Sequence, residues 1–197
     1  MSETIKIELN PREFFHKNIA ESMAKQKIKA SGEVELYLVE LMCSFVKPEK
    51  MSEINVLETP LAMLHKAAVE SPPEGRIKIF KNLGDVSLYI SGYFQDYFNT
   101  KTFSMDYYIT LGANAYGNVS TLVRDRGGHI SRLYWDLSEN FDVFVEVVAG
   151  VREQIDPQMP TDLLATYERW IQNQSPRLRK RLESSGILPV AGKLPRQ

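Results

Sequence analysis

Apolar residues recur at intervals of three and four along most of this chain, and this spacing limits the fold more than any other feature. The longest example is segment 131–155, whose apolar residues are Leu133, Leu137, Phe141, Phe144, Val148, Val151 and Ile155. An α-helix places residues with this spacing on one face, whereas a half-buried strand alternates at every second residue. The segment therefore predicts a long central helix that is capped by Ser131.

Shorter segments with the same spacing lie on both sides of this one, bounded by proline, glycine or helix-capping residues. They predict helices over 11–27, 34–45, 60–70, 74–98 and 104–126, another that is capped by Thr161, and a short basic turn at 177–183. Residues 1–10 alternate in polarity and predict a short extended arm. The predicted fold is an all-α, single-domain bundle of six or seven helices. Its antiparallel core is 74–98, 104–126 and 131–155, because short loops join antiparallel neighbours, and 11–46 packs across it.

The length of the chain favours one domain. It has 197 residues, 43% of them hydrophobic and 25% charged, and a chain of this size buries enough surface to fold without disulfides. We expect a domain over residues 1–185 with a hinge near 71–75, where the sequence reads SPPEG. Residues 186–197 hold two prolines and two glycines and predict a loose tail that can also dock on a partner.

Charge and cysteine content narrow the class of protein. The 24 Lys and Arg nearly balance the 25 Asp and Glu, which leaves a net charge of −1 and no global attraction for nucleic acid or acidic lipid. The single cysteine, Cys43, lies among apolar residues and indicates a reducing compartment. No signal peptide is visible, and no segment has the roughly 20 apolar residues of a membrane span. We expect a cytoplasmic protein with no membrane partner.

Catalytic motifs are missing from the sequence. It contains no G-x-S-x-G, no H-E-x-x-H and no phosphate-binding G-x-x-x-x-G-K-[ST]. The three histidines, His16, His65 and His129, lie in separate segments with no metal-ligand spacing between them. We therefore assign no catalytic residue, no metal site and no cofactor, and we lean towards a protein that is not an enzyme.

Two glycines, Gly84 and Gly92, fall in the interior of the predicted helix 74–98, although each costs a helix about 1 kcal/mol relative to alanine. Gly84 and Gly92 share a face, and Ala113 and Gly117 match them on the next helix, which favours close packing of the two helices. The alternative is a pocket for a flat ligand among nearby tyrosines. The residues that would line either arrangement are Gly84, Asp85, Tyr89, Gly92, Tyr107, Tyr108 and Tyr116.

Three stretches of the sequence carry a family resemblance. They are REFFHKNIAESMAKQKIKASGEVELYLVELM, LGDVSLYISGYF and DYYITLGANAY. Together they resemble an uncharacterised family of bacterial all-helical proteins, over residues 12–150. The resemblance implies a cytoplasmic bacterial protein and assigns no activity and no site.

The loop that reads RDRGGHISR, residues 124–132, is a candidate anion site. Its two glycines precede a predicted helix whose first amides lack partners, and Arg126, His129 and Arg132 lie close to that helix end. These three residues predict a weak site for a phosphate or carboxylate. The alternative is an ordinary turn between helices, with the arginines in solvent or paired with Asp125 and Asp136.

A second basic cluster lies near the C-terminus and consists of Arg177, Arg179, Lys180 and Arg181. Such a cluster can neutralise nucleic-acid phosphates. Because it is short and has no adjacent aromatic pair, we favour a helix end with its leucines packed and its cations in water. Nucleic acid is therefore an unlikely partner.

The function that we expect from the sequence is a non-enzymatic interaction or regulatory module that binds another protein through helical surfaces and the C-terminal tail. A small-ligand binder is the first alternative, with an anionic or phosphorylated ligand at the tyrosine-rich helix pair or the RDRGGH loop. A nucleic-acid binder that uses residues 177–181 is the second.

Overall fold

The computed structural model describes residues 10–46, 61–95, 105–126, 128–156 and 163–190, and every regular element in these ranges is helical. The helices are α1 Pro11–Gln26, α2 Gly32–Val46, α3 Leu61–Glu70, α4 Pro73–Tyr93, α5 Met105–Leu122, a 3₁₀ turn Arg124–Arg126, α6 Gly128–Glu139, α7 Phe141–Ile155, α8 Leu163–Asn173 and α9 Pro176–Ser184. The predicted all-α fold is confirmed. The predicted arm lies outside the described residues, apart from Asn10, whose side chain caps α1.

The three segments of the predicted core pack on one another, and α5 runs antiparallel to both α4 and α6. Helix α4 packs along α5, and α5 along α6. The chain directions follow from paired contacts, since Ser120 meets Ser131 while Ser138 donates to the carbonyl of Ala113. Helix α7 lies at the centre and packs against α4 and α1. Its inner residues are almost fully buried, including Phe144, Val147, Val148 and Val151.

The segment 131–155, which we expected to be one helix, is two. Helix α6 ends at Glu139 and α7 begins at Phe141. Between them Asn140 leaves helical geometry, at φ −114° and ψ 29°, and its side-chain amide donates to the carbonyl of Asp136. The apolar spacing continues from Leu137 to Phe141 across this break, so spacing alone does not reveal it.

The predicted cap at Ser131 is wrong as well. Helix α6 starts three residues earlier, at Gly128, so Ser131 lies inside the helix. Its hydroxyl donates to the carbonyl of Ser120 on α5 at 2.9 Å. Ser131 therefore joins two helices instead of starting one.

Two other helices end earlier than predicted. Helix α4 ends at Tyr93 because Phe94 turns out of helical geometry, at φ −114° and ψ 45°, with its ring against Tyr89 and Tyr93. Helix α5 ends at Leu122, and the chain continues into the short 3₁₀ turn.

The last two helices have a small apolar cluster of their own, built from Trp170, Leu178 and Leu182 with Ile187 packed against it. The hydroxyl of Tyr167 donates to the carbonyl of Val190 at 3.2 Å. Two residues of the predicted tail, Ile187 and Val190, therefore contact α8 and α9. Among all the helices that the structure describes, none is long and apolar enough to cross a membrane.

Candidate functional site

Asp85 is the centre of a hydrogen-bonded cluster between four helices. Tyr37 of α2 and Tyr116 of α5 both donate to its Oδ1, at 2.5 and 2.8 Å. Its Oδ2 accepts from Lys81, one turn earlier on α4, at 2.5 Å. The ring of Tyr134 on α6 lies 5.7 Å from that of Tyr37, between ring centroids. Asp85 therefore accepts two tyrosine hydroxyls as well as the ammonium group of Lys81.

The tyrosines of this cluster are held in their neutral form. Burial, together with the negative charge of Asp85, raises the pKa of Tyr37 and of Tyr116 well above 10.0. The pKa of Tyr134 is raised too, chiefly by burial. Groups with such pKa values act as hydrogen-bond donors near neutral pH, so the cluster is suited to joining helices.

At the glycines near this cluster, the space that a side chain would take is occupied by other protein atoms. A Cβ on Gly84 would lie 2.5 Å from the ring of Tyr116, and one on Gly112 would lie 2.3 Å from the ring of Phe141. These distances leave no room for a methyl group. At Gly84 and Gly112 the structure therefore has close helix packing and no ligand pocket.

The other residues of the predicted pairing are spread over different contacts. Gly92 faces Val148 of α7, and Gly117 faces Ser138 of α6, so neither lies at the α4–α5 crossing where we expected them. Tyr89 stacks on Phe45, with ring centroids 4.0 Å apart. The ring pair of Tyr107 and Tyr108 begins α5, with Tyr107 exposed. The predicted tyrosine group is therefore divided among several places.

The predicted anion loop is only partly described. Because α6 begins at Gly128, the free amides of its first turn lie closer to the loop than we expected. His129 and Arg132 line the first turns of this helix, and Arg132 borders a groove of about 370 Å³ together with Lys29 and Asp136. The side chain of Arg126 lies outside the described part of the chain. The anion site remains a prediction.

The C-terminal basic cluster is largely held by carboxylates. Arg177 has a side chain that is only 7% exposed and donates to Glu146 at 2.9 Å and to Glu153 at 2.5 Å. Arg181 also pairs with Glu153, and Arg179 pairs with Glu183 one turn away. Lys180 is exposed.

Burial of Glu146 disfavours its charge, but the adjacent Arg177 and Ser175 more than offset this and lower its pKa. Burial likewise disfavours the charge of Arg177, and the two carboxylates reverse the effect and raise its pKa. Both groups therefore stay charged near neutral pH, and Arg177 joins α9 to α7 instead of facing a phosphate.

A groove of about 840 Å³ lies between α1, α7 and α9. Acidic and basic side chains both line it, among them Glu21, Lys25 and Arg177. Its floor is already used in helix packing, since the hydroxyl of Ser22 donates to the carbonyl of Val147 at 2.8 Å. No group of three or more His, Cys, Asp or Glu in the described ranges is arranged to hold a metal ion.

The solvent-facing side of α5 is unusual because it carries no charge beyond its first turn. We call this surface the α5 outer face and define it by five exposed residues, Tyr107, Thr110, Asn114, Asn118 and Thr121. The other described helices carry charged side chains on their solvent-facing sides, for example Lys17 on α1, Glu40 on α2 and Lys78 on α4. Depletion of charge, with aromatic residues present, is typical of protein interfaces.

An exposed tryptophan lies on α6, the helix that packs along α5. Trp135 of α6 is 53% exposed. It lies halfway between Ser131 and Ser138, which meet Ser120 and Ala113 of α5, and is therefore level with Gly117. Tryptophan is the residue type most enriched at the energetic centres of interfaces.

This surface was not predicted from the sequence. The signal was present, since residues 107–123 contain no charged residue in a chain that is 25% charged. The tyrosines of this segment were assigned to a core or a pocket. Only the packing of α5 separates the buried Tyr116 from the exposed Tyr107.

Comparison with known proteins finds no matching family model, no significantly similar curated protein and no significantly similar solved structure.

Proposed function

We propose that this chain is a protein-interaction module that binds its partner through the α5 outer face and Trp135. The observation that carries the proposal is a helix face of neutral side chains, beside a tryptophan that is 53% exposed. A partner for such a face presents a neutral helical surface, because a charged one would lose its hydration without gaining an ion pair.

The alternatives have less support. A ligand between α4 and α5 would have to displace Tyr116 from Gly84. A nucleic acid at residues 177–181 would have to compete with Glu146 and Glu153 for Arg177. We place the module in a bacterial cytoplasm, which agrees with its single cysteine.

The test is site-specific photo-crosslinking in cells that express the full chain. A photo-reactive phenylalanine replaces Asn114 on the α5 outer face or, as the matched control, the exposed Asn82 on α4. We expect one crosslinked species of defined mass from position 114, lost when Trp135→Ala is added, and none from position 82. Equal crosslinking at both positions, or none at either, would contradict the proposal.

A further inference from the structure

We infer that the partner of the α5 outer face is a second copy of this chain, bound with the two α5 helices antiparallel; this inference rests on the proposed function. A symmetric dimer places one surface against itself. A charged patch repels its own copy, whereas asparagine and threonine side chains both donate and accept hydrogen bonds and can pair with themselves. The α5 outer face consists of such residues and a tyrosine.

The charges at the two ends of α5 select the antiparallel orientation. Asp106 is exposed in the first turn, and the exposed Arg124 follows the last turn. The segment 124–126 reads Arg-Asp-Arg, with a net charge of +1. Antiparallel packing brings Asp106 of each copy level with this segment of the other, whereas parallel packing places like charges together.

The size of the surface sets the strength of the dimer. Helix α5 has 18 residues, which corresponds to a length of about 27 Å and a width of about 10 Å. With Trp135 near it, the face offers roughly 300–500 Å² per copy, below the roughly 800 Å² per partner of a standard specific interface and in the range of weak, transient contacts. We therefore expect a reversible dimer with a dissociation constant in the range of about 1 to 500 µM.

The first experiment measures the mass of the purified full chain by light scattering and sedimentation between about 1 and 500 µM, a range set by the expected affinity. Asn114 lies near the middle of α5, so Asn114→Lys places two like charges close to the symmetry axis. We expect it to raise the dissociation constant at least about tenfold. Asn82→Lys makes the same change on α4 and should leave dimerisation unaltered, and circular dichroism checks that both variants fold.

The second experiment tests the orientation. In a Cys43→Ala background, protein with Asp106→Cys is mixed with protein with Arg124→Cys and treated with a short bismaleimide. We expect the mixed dimer to form in preference to either self-linked dimer, and preferential self-linking would overturn the antiparallel arrangement.

A chain that stays monomeric throughout, or a dimer that resists Asn114→Lys, overturns self-association. If position 114 then crosslinks a different protein in cells, the interaction module stands and only the identity of its partner is wrong. If position 114 crosslinks nothing, both proposals fail.

Discussion

Glycine sets the spacing of helices in this bundle at individual residues. Gly112 allows α5 to approach both Ser87 of α4 and the ring of Phe141. Atoms of both residues lie within 2.7 Å of the position that a Cβ on Gly112 would take. Gly32, in contrast, begins α2 in open space, and a Cβ added there would meet no atom within 4 Å. Substitutions at these two glycines therefore distinguish a packing requirement from an effect of helix propensity.

We predict that Gly112→Ala lowers the free energy of unfolding by about 1–3 kcal/mol, because the added methyl group forces the core apart. Gly32→Ala, the matched control, should be neutral or slightly stabilising, since alanine is the better helix former. Urea denaturation followed by circular dichroism measures both. Equal effects of the two substitutions would show that α4 and α5 are not in close contact at Gly112.

At the scale of helices, a buried ion pair joins α9 to the central helix. Arg177 bonds Glu146 and Glu153 of α7, and Ser175, the cap of α9, also donates to Glu146. A buried pair of this kind adds little net stability when intact, but removing one partner leaves an uncompensated charge. The docking of α9 therefore depends on Arg177 more than on its exposed neighbours.

We predict that Arg177→Met lowers stability by about 3–5 kcal/mol, and that adding Glu146→Gln and Glu153→Gln restores most of the loss. Arg179→Met is the matched control on the same helix. It breaks only the exposed pair with Glu183, which is worth about 0–1 kcal/mol. Fluorescence of the buried Trp170, in a Trp135→Phe background, follows the docking of α8 and α9. An Arg177→Met variant as stable as Arg179→Met would show that the buried ion pair does not hold α9 against α7.

The sign of the pH dependence follows from the lowered pKa of Glu146, whose ordinary value is 4.5. The contribution of ionised Glu146 to stability is complete above pH 4.5. It is lost as the pH falls through the lower pKa that this group has in the folded state. We expect the Trp170 signal to stay constant near neutral pH and to change only in this acidic range.

At the scale of the whole molecule, Asp85 and its tyrosines tie α2, α4, α5 and α6 together. Tyr37 and Tyr116 have pKa values raised well above 10.0, and burial raises the pKa of Tyr89 to about 12. The folded state therefore holds these protons when the unfolded chain has released them. Their contribution to stability is fully present below about pH 10 and falls as the pH rises above it.

We predict that absorbance at 295 nm resolves two groups among the nine tyrosines. Exposed tyrosines ionise reversibly near pH 10. Tyr37, Tyr116 and Tyr134 ionise only together with loss of the helical circular dichroism signal. If all nine titrate in one reversible step while the helices remain, the cluster is not buried as described.

The parts of the fold that depend on residues close together in the sequence could be predicted from it. Helix α1 begins at Pro11 as predicted, with Asn10 as its cap, because a cap acts within one turn. Ser175 caps α9, which is a helix of nine residues where we predicted a short basic turn. The break at Asn140 could not be predicted, since the apolar spacing runs through it. The burial of Arg177 depends on Glu146 and Glu153, which are 31 and 24 residues away. No local pattern shows such a pairing.

Helix α7 is held on both sides by contacts that leave no space for an added carbon atom. Val148 fills the space at Gly92 of α4, and Ser22 of α1 fills the space at Gly150. Sliding α7 along either neighbour would drive side chains into backbone, so shear, the usual small motion of packed helices, is blocked in this layer. We therefore expect α1, α7 and α4 to move together as one unit.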